Sequence, residues 1–196
     1  MEQLIPPLIM VVIAIVVFLL VKSNLQKYRE YLLPLSRQLD NGVVAGSFNV
    51  VLTGRREGYE VRVEPHMGGK NSPPSIVVIV FKESPLTFAI TTEGKFDRML
   101  KSMGIFKEIQ VGDPDFDEKY LLRVGDEGMG RMLLSNSEVR DAIARVFDLG
   151  YESLRTYRNQ IRAHKRTGTF QMQSDLAPDK VLAVIESMVT IARHMP

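Results

Sequence analysis

A chain of 196 residues has room for one ordinary domain with an appendage and excludes a large multidomain enzyme. It carries 25 basic and 23 acidic residues and no cysteine, which removes disulfide scaffolds, thiolate metal sites and cysteine nucleophiles. Residues 1–21 concentrate apolar side chains around a single charged group, Glu2, and the rest has a net charge of +3 and a globular composition. Disorder is thereby excluded for most of it.

Leu4 to Val21 is an uncharged stretch of 18 residues. As a helix it would reach about 27 Å at ~1.5 Å per residue, close to the ~30 Å hydrocarbon core of a bilayer. Pro6 and Pro7 fall in the first turn, where a missing N–H costs little. The pattern predicts a transmembrane helix over residues 1–21. A cleaved signal peptide would need a basic start and a small-residue cleavage site, and Met1-Glu2-Gln3 and Val21-Lys22-Ser23-Asn24 supply neither. Lys22, Lys27, Arg29 and Arg37 follow the stretch and no cation precedes it. The positive-inside rule then makes this a single-pass protein with its C-terminal domain in the cytoplasm.

Residues 22–41 read as a juxtamembrane helical linker. Leu25, Tyr28, Leu32, Leu35 and Leu39 form a helical stripe that Pro34 interrupts, which favours packing against the domain or lipid over a coiled coil. Self-association is the competing use of the stripe. The domain proper is expected over 42–196. Phe48, Val50 and Leu52, then Tyr59, Val61 and Val63, alternate around the loop 54–58, which predicts a hairpin. Ser75 to Phe81 is an unbroken β-branched run, the mark of a strand buried on both faces. Leu86–Thr91 reads as a strand, Lys95–Met103 as a short helix, and Ile105–Val111 and Tyr120–Val124 as further strands. Gly125–Gly130 has the composition of a loop. Ser135 or Ser137 is expected to cap a helix through Val139, Ile143, Val146 and Phe147 that Gly150 ends. Leu154–Arg166 fits a hairpin turning at Asn159-Gln160 or a continuation of that helix, and Gly150 favours the hairpin. Thr167–Ser174 reads as a polar loop, and Asp175 or Asp179 as the cap of a closing amphipathic helix through Val181, Ile185 and Met188. The fold class expected is α+β, a mainly antiparallel sheet with helices packed on one side.

Candidate chemistry is sparse. Asp113, Asp115 and Asp117 fit positions 1, 3 and 5 of a calcium loop, but Glu118 and Val124 stand where glycine and a bidentate glutamate are needed. The turn is better read as structural. Asp113-Pro114 opens it, Asp115 and Glu118 form a capping box, Phe116 plugs the core and Asp117 satisfies backbone donors. His66, His164 and His194 lie in separate segments, away from metal-ligand spacing. Neither Gly125–Gly130 nor Gly69-Lys70 completes a phosphate loop, and the common hydrolase motifs are missing. No catalytic residue, cofactor or metal is expected.

One charged segment stands out. Between Ser153 and Ser174 there is no acid, while Arg155, Arg158, Arg162, Lys165 and Arg166 accumulate around His164. A solvated edge hairpin guarded by charge is one reading, and a contact for anionic lipid is the other. Tyr157 is the only aromatic among these cations, too little for a nucleic-acid stacking platform.

The second half resembles a family of bacterial membrane-anchored α+β proteins with no assigned activity. The resemblance rests on Gly112-Asp113-x-x-Phe116-Asp117 with Tyr120, the Leu133-Leu134 pair, Leu154 and the closing Leu- and Val-rich helix, over roughly residues 105–195. It implies a fold and a membrane setting, and supplies no catalytic residues. The function expected is a membrane-anchored scaffold or regulatory module that binds another protein. A membrane-associated enzyme with dispersed active-site residues, and an anionic-lipid-binding domain, are the rivals.

Overall fold

The structure is a computed structural model that describes residues 7–47, 49–69, 72–92 and 107–196. Helix α1 runs unbroken from Pro7 to Ser36. Its second half carries the leucine stripe inward: Leu32 and Leu35 are fully buried and Leu25, Tyr28 and Leu39 nearly so. They belong to the main core cluster, where α1 meets the first strands and the last helix. Pro34 lies inside the helix two residues from its end and lacks the N–H that would donate to the Glu30 carbonyl. The first half is different. Every described apolar side chain from Ile9 to Leu19 is exposed, on all sides of the helix. The spanning helix expected over residues 1–21 is not found as such, since no helix among the described residues is long and apolar enough to cross a membrane.

Among the described residues nine strands follow, all joined by antiparallel pairs into one sheet of order β1-β2-β3-β4-β9-β8-β5-β7-β6. They are β1 (Asp40–Ala45), β2 (Val51–Arg56), β3 (Tyr59–His66), β4 (Ser75–Phe81), β5 (Phe88–Thr92), β6 (Lys107–Ile109), β7 (Tyr120–Val124), β8 (Ser153–Thr156) and β9 (Gln160–Arg166). The β2–β3 turn is two residues, Glu57 and Gly58, both at positive φ, the geometry that suits the twist of a tight hairpin. The hairpin β8–β9 inserts between β4 and β5, so a late segment of the chain joins the two early ones. This settles the ambiguity at 154–166 in favour of strands; the turn uses Arg158 at positive φ.

Strand register lines up Leu52, Val63, Val78, Ala163, Leu154, Ile90 and Leu122 as one apolar row across seven strands. Helices α1, α4 (Ser137–Asp148) and α6 (Pro178–His194) cover this face, with Ile143, Val146, Val184, Ile185 and Met188 in the same cluster. Val77, Ile79 and Ala89 point the other way. They are buried too, yet stand outside that cluster. The α+β architecture with a large antiparallel sheet is as expected.

Several local expectations need correction. Residues 40–45 form an edge strand, although the helical linker was expected to run to residue 41; Asn41 takes positive φ and a bulge between Asp40 and Val43 absorbs the turn-like composition. Residues 127–135 form helix α3 (Glu127–Ser135) where a loop was expected. Asp126 accepts from the Met129 N–H and starts it. Gly130 permits a close approach to Val124, whose side chain a Cβ would meet at 2.8 Å. Asn136, not Ser135 or Ser137, caps α4. Within 167–174 a short helix, α5 (Met172–Asp175), buries Met172. Neither Asp175 nor Asp179 caps α6, which starts from Ala177 with Pro178 in its first turn. The helix expected at Lys95–Met103 lies outside the described residues.

Candidate functional site

The acidic turn is built as follows. Pro114–Lys119 forms helix α2, whose N-cap is Asp113 rather than Asp115; its carboxylate accepts from the Phe116 N–H at 3.3 Å. Phe116 is buried, and its ring lies 4.8 Å from that of Tyr120, which in turn lies 5.0 Å from that of Phe147. The Asp117 carboxylate accepts from the Val111 and Gly112 N–H groups, at 2.9 Å each, and so ties the helix to the end of β6. Asp113 also pairs with Arg140 of α4. Two of the three aspartates thus have backbone donors to satisfy. Among the described residues, no group of three His, Asp or Glu side chains converges as metal ligands.

The structure disperses the basic segment. Strand parity is the reason, since neighbouring residues of β9 face opposite sides of the sheet. Lys165 turns to the helix-covered side, where its ammonium meets Asp175 at 2.9 Å, donates to the Leu149 carbonyl at 2.8 Å and stands over the Tyr151 ring. Burial tends to raise the Asp175 carboxyl, but its Thr167 hydroxyl and Lys165 partners outweigh that and hold it below the ordinary range. Arg166 pairs with Glu152 at 2.5 Å. Arg158 sits on the exposed hairpin tip, its guanidinium 5.3 Å from the centre of the Tyr157 ring.

Arg155 and Arg162 remain together. They are directly opposite one another in the β8–β9 ladder, on the face away from the helices. Both are half-buried, and no hydrogen bond or ion pair reaches either among the described residues. Three other half-buried arginines differ: Arg56 has Glu186, Arg62 has Glu64 and Arg140 has Asp113. Burial and then the charge of Arg162 pull the Arg155 guanidinium below its usual pKa, with Tyr157 opposing them. The same face brings in Arg62, which the sequence reading did not include. Ladder partners run Arg62, Ile79, Arg162, Arg155, so three arginines share one row across four strands, with Ile79 between the first two. His164 lies on this face as well. Burial lowers its pKa, Glu152 opposes that, and Arg155, Arg166 and His66 add to the lowering. No sequence signal could have nominated Arg62, because only the β3–β4–β9 register brings it within two strands of Arg162.

Two cavities flank α1 where it joins the domain. One, of about 580 Å³, lies against Phe18, Lys22, Leu25, Arg29, Leu33 and Val50; Arg29 there donates to the Gly46 carbonyl at 2.9 Å. The other, of about 510 Å³, is lined by Tyr28, His66, Met67, Pro73 and Ser75 among others. Among the described residues, neither the Ser72 nor the Ser75 hydroxyl of the second cavity is hydrogen-bonded to the His66 ring, the pairing that joins a nucleophile to its base in acyl transfer.

No family model matches the chain, and no curated protein does. Among solved structures, the chain is similar to the crystal structure of the mycobacterial trehalose monomycolate transport factor A, TtfA. The TM-score is 0.55 at 10% identity, over 88% of this chain and 96% of that one. At that identity the likeness concerns the fold alone.

Proposed function

We propose that this chain is a membrane-tethered accessory module whose α+β domain binds another protein. The observation that supports it most is the change of character along one continuous helix. From Leu25 onward α1 buries one stripe in the domain and exposes polar side chains, whereas from Ile9 to Leu19 it exposes apolar side chains on every side. A helix that is apolar all round is stable only when surrounded by apolar material. In the sequence this segment belongs to the uncharged stretch Leu4 to Val21, 18 residues, long enough to enter a bilayer. Lys22, Lys27, Arg29 and Arg37 then favour a cytoplasmic position for the domain. The similarly folded protein is a transport factor by name. That name accords with an accessory role.

The test is made on the full chain in native membranes. Alkaline carbonate should leave it in the pellet, protease outside sealed cells should leave the domain intact, and crosslinking should capture a defined protein partner. Release by carbonate, or digestion from outside, would overturn the tether and its direction. Turnover of a small molecule with no partner recovered would overturn the accessory role.

A further inference from the structure

We propose that Arg155 and Arg162 form an oxyanion site that takes a phosphate group between their guanidinium groups on the open face of the sheet. Directly opposed like charges are a cost to a sheet, and two half-buried guanidinium groups without a carboxylate add a desolvation cost. Glu64, on the same face, pairs with Arg62, and Glu152 pairs with Arg166. The two groups are thereby kept for something that is not in the chain. Opposed residues place their Cβ atoms about 5 Å apart, so two long side chains can converge on one tetrahedral anion and offer it two planar forks. Arg62, one strand beyond Ile79, adds a third cation to the same row at about 10 Å, given strands ~4.8 Å apart. Tyr157, exposed and two residues from Arg155, adds an aromatic side chain at the hairpin tip beside the pair. Both arginines are partly exposed, so the phosphate can belong to a lipid headgroup or to a free phosphate compound.

The experiment uses the full chain in a non-ionic detergent, and reads the thermal unfolding midpoint in inorganic phosphate against chloride at matched ionic strength. Phosphate should raise the midpoint by a few degrees through preferential binding to the folded state. R155Q and R162Q should abolish that rise, and R162K should weaken it by losing the fork. R158Q and R166Q, which alter cations that face elsewhere or are already paired, should respond as the parent does. A second arm reconstitutes the chain in phosphatidylcholine vesicles with or without phosphatidic acid. A response to inorganic phosphate locates the ligand among soluble compounds, and a response to phosphatidic acid alone locates it in the headgroup layer. No response in either arm, or an equal response in R155Q and R162Q that remain folded by circular dichroism, would overturn the site. If the glutamine variants fail to fold, the R162K comparison decides alone: an undiminished response there sinks it. The detergent arm contains no membrane, so failure of the tether and failure of the site are separately visible.

Discussion

The two faces of the sheet are made from the same strands and could hardly be less alike. On one, Leu52, Val63, Val78, Leu154, Ile90 and Leu122 form a continuous apolar layer under three helices. On the other, one residue before or after these along the strands, stand Arg62, Ile79, Arg162 and Arg155. A period of two lets each strand serve both faces independently. Magnitudes explain why the arrangement holds. Each fully buried aliphatic side chain on the covered face contributes about 1.5–3 kcal/mol, while a like-charge cross-strand pair costs roughly 0.2–1 kcal/mol. The covered face supplies the fold, and the open face can then carry a local penalty without endangering it.

The largest expected effect separates two buried residues by face. Leu154 is fully buried, with Ala163 and Ile90 on either side in the ladder, so Leu154→Ala leaves a cavity that rigid neighbours cannot fill. Urea unfolding should show a loss of about 2–5 kcal/mol. Ile79 is almost as buried, but its ladder partners are Arg62 and Arg162, whose flexible stems can sink into the space left by Ile79→Ala. That variant should fall at or below the lower end of the range. Equal losses would mean that the open face is packed like the core, and the contrast would fail.

How much of this was legible beforehand follows from the same alternation. β2 and β3 could be read from period-two patterns and α4 and α6 from their 3.6 period, because each buries one face against the core, and β4 from an unbroken β-branched run, because it is buried on both faces. Helix α3 escaped because Gly128 and Gly130 have loop composition; the contact that needs Gly130 is with Val124, on a different element. β1 escaped because Asp40-Asn41-Gly42 spells a turn, and a bulge against β2 accommodates it. The basic segment was visible as a run, but the run was the wrong unit. Parity sends Lys165 to Asp175 and leaves Arg162 facing Arg155, and Arg62 arrives from a hundred residues upstream through register alone.

The acidic turn offers an intermediate effect on the covered side. Asp117→Ala removes the acceptor of two backbone N–H groups, those of Val111 and Gly112. Hydrogen bonds to a charged group are worth more than neutral ones, so a loss of about 1–3 kcal/mol is expected from denaturant unfolding. Asp115→Ala, whose residue neither caps α2 nor accepts these donors, should change little. If the two variants match, the turn is held by Phe116 packing alone.

The smallest effects concern neighbours in β9 that face opposite sides, and pH separates them. His164 looks to the open face with its pKa lowered, chiefly by burial. The unfolded chain therefore binds a proton more readily, and stability is complete above the unfolded value of about 6.5 and declines as pH falls below it. Lys165 looks to the covered side and holds Asp175, whose pKa is also depressed. Its contribution is complete above the unfolded carboxyl value of about 3.9 and is lost as pH falls through the lower folded value. Stability curves against pH should therefore show two separate declines on the acid side. H164Q should flatten the one nearer neutrality and leave the other, and D175N should do the reverse at the cost of leaving Lys165 without its carboxylate. The histidine arm also bears on the arginines: R155Q removes one of the cations that oppose its protonation, so the upper decline should shrink in that variant. An upper decline unchanged in R155Q would mean that burial alone sets the histidine, and that the cations of the open face act on separate neighbourhoods.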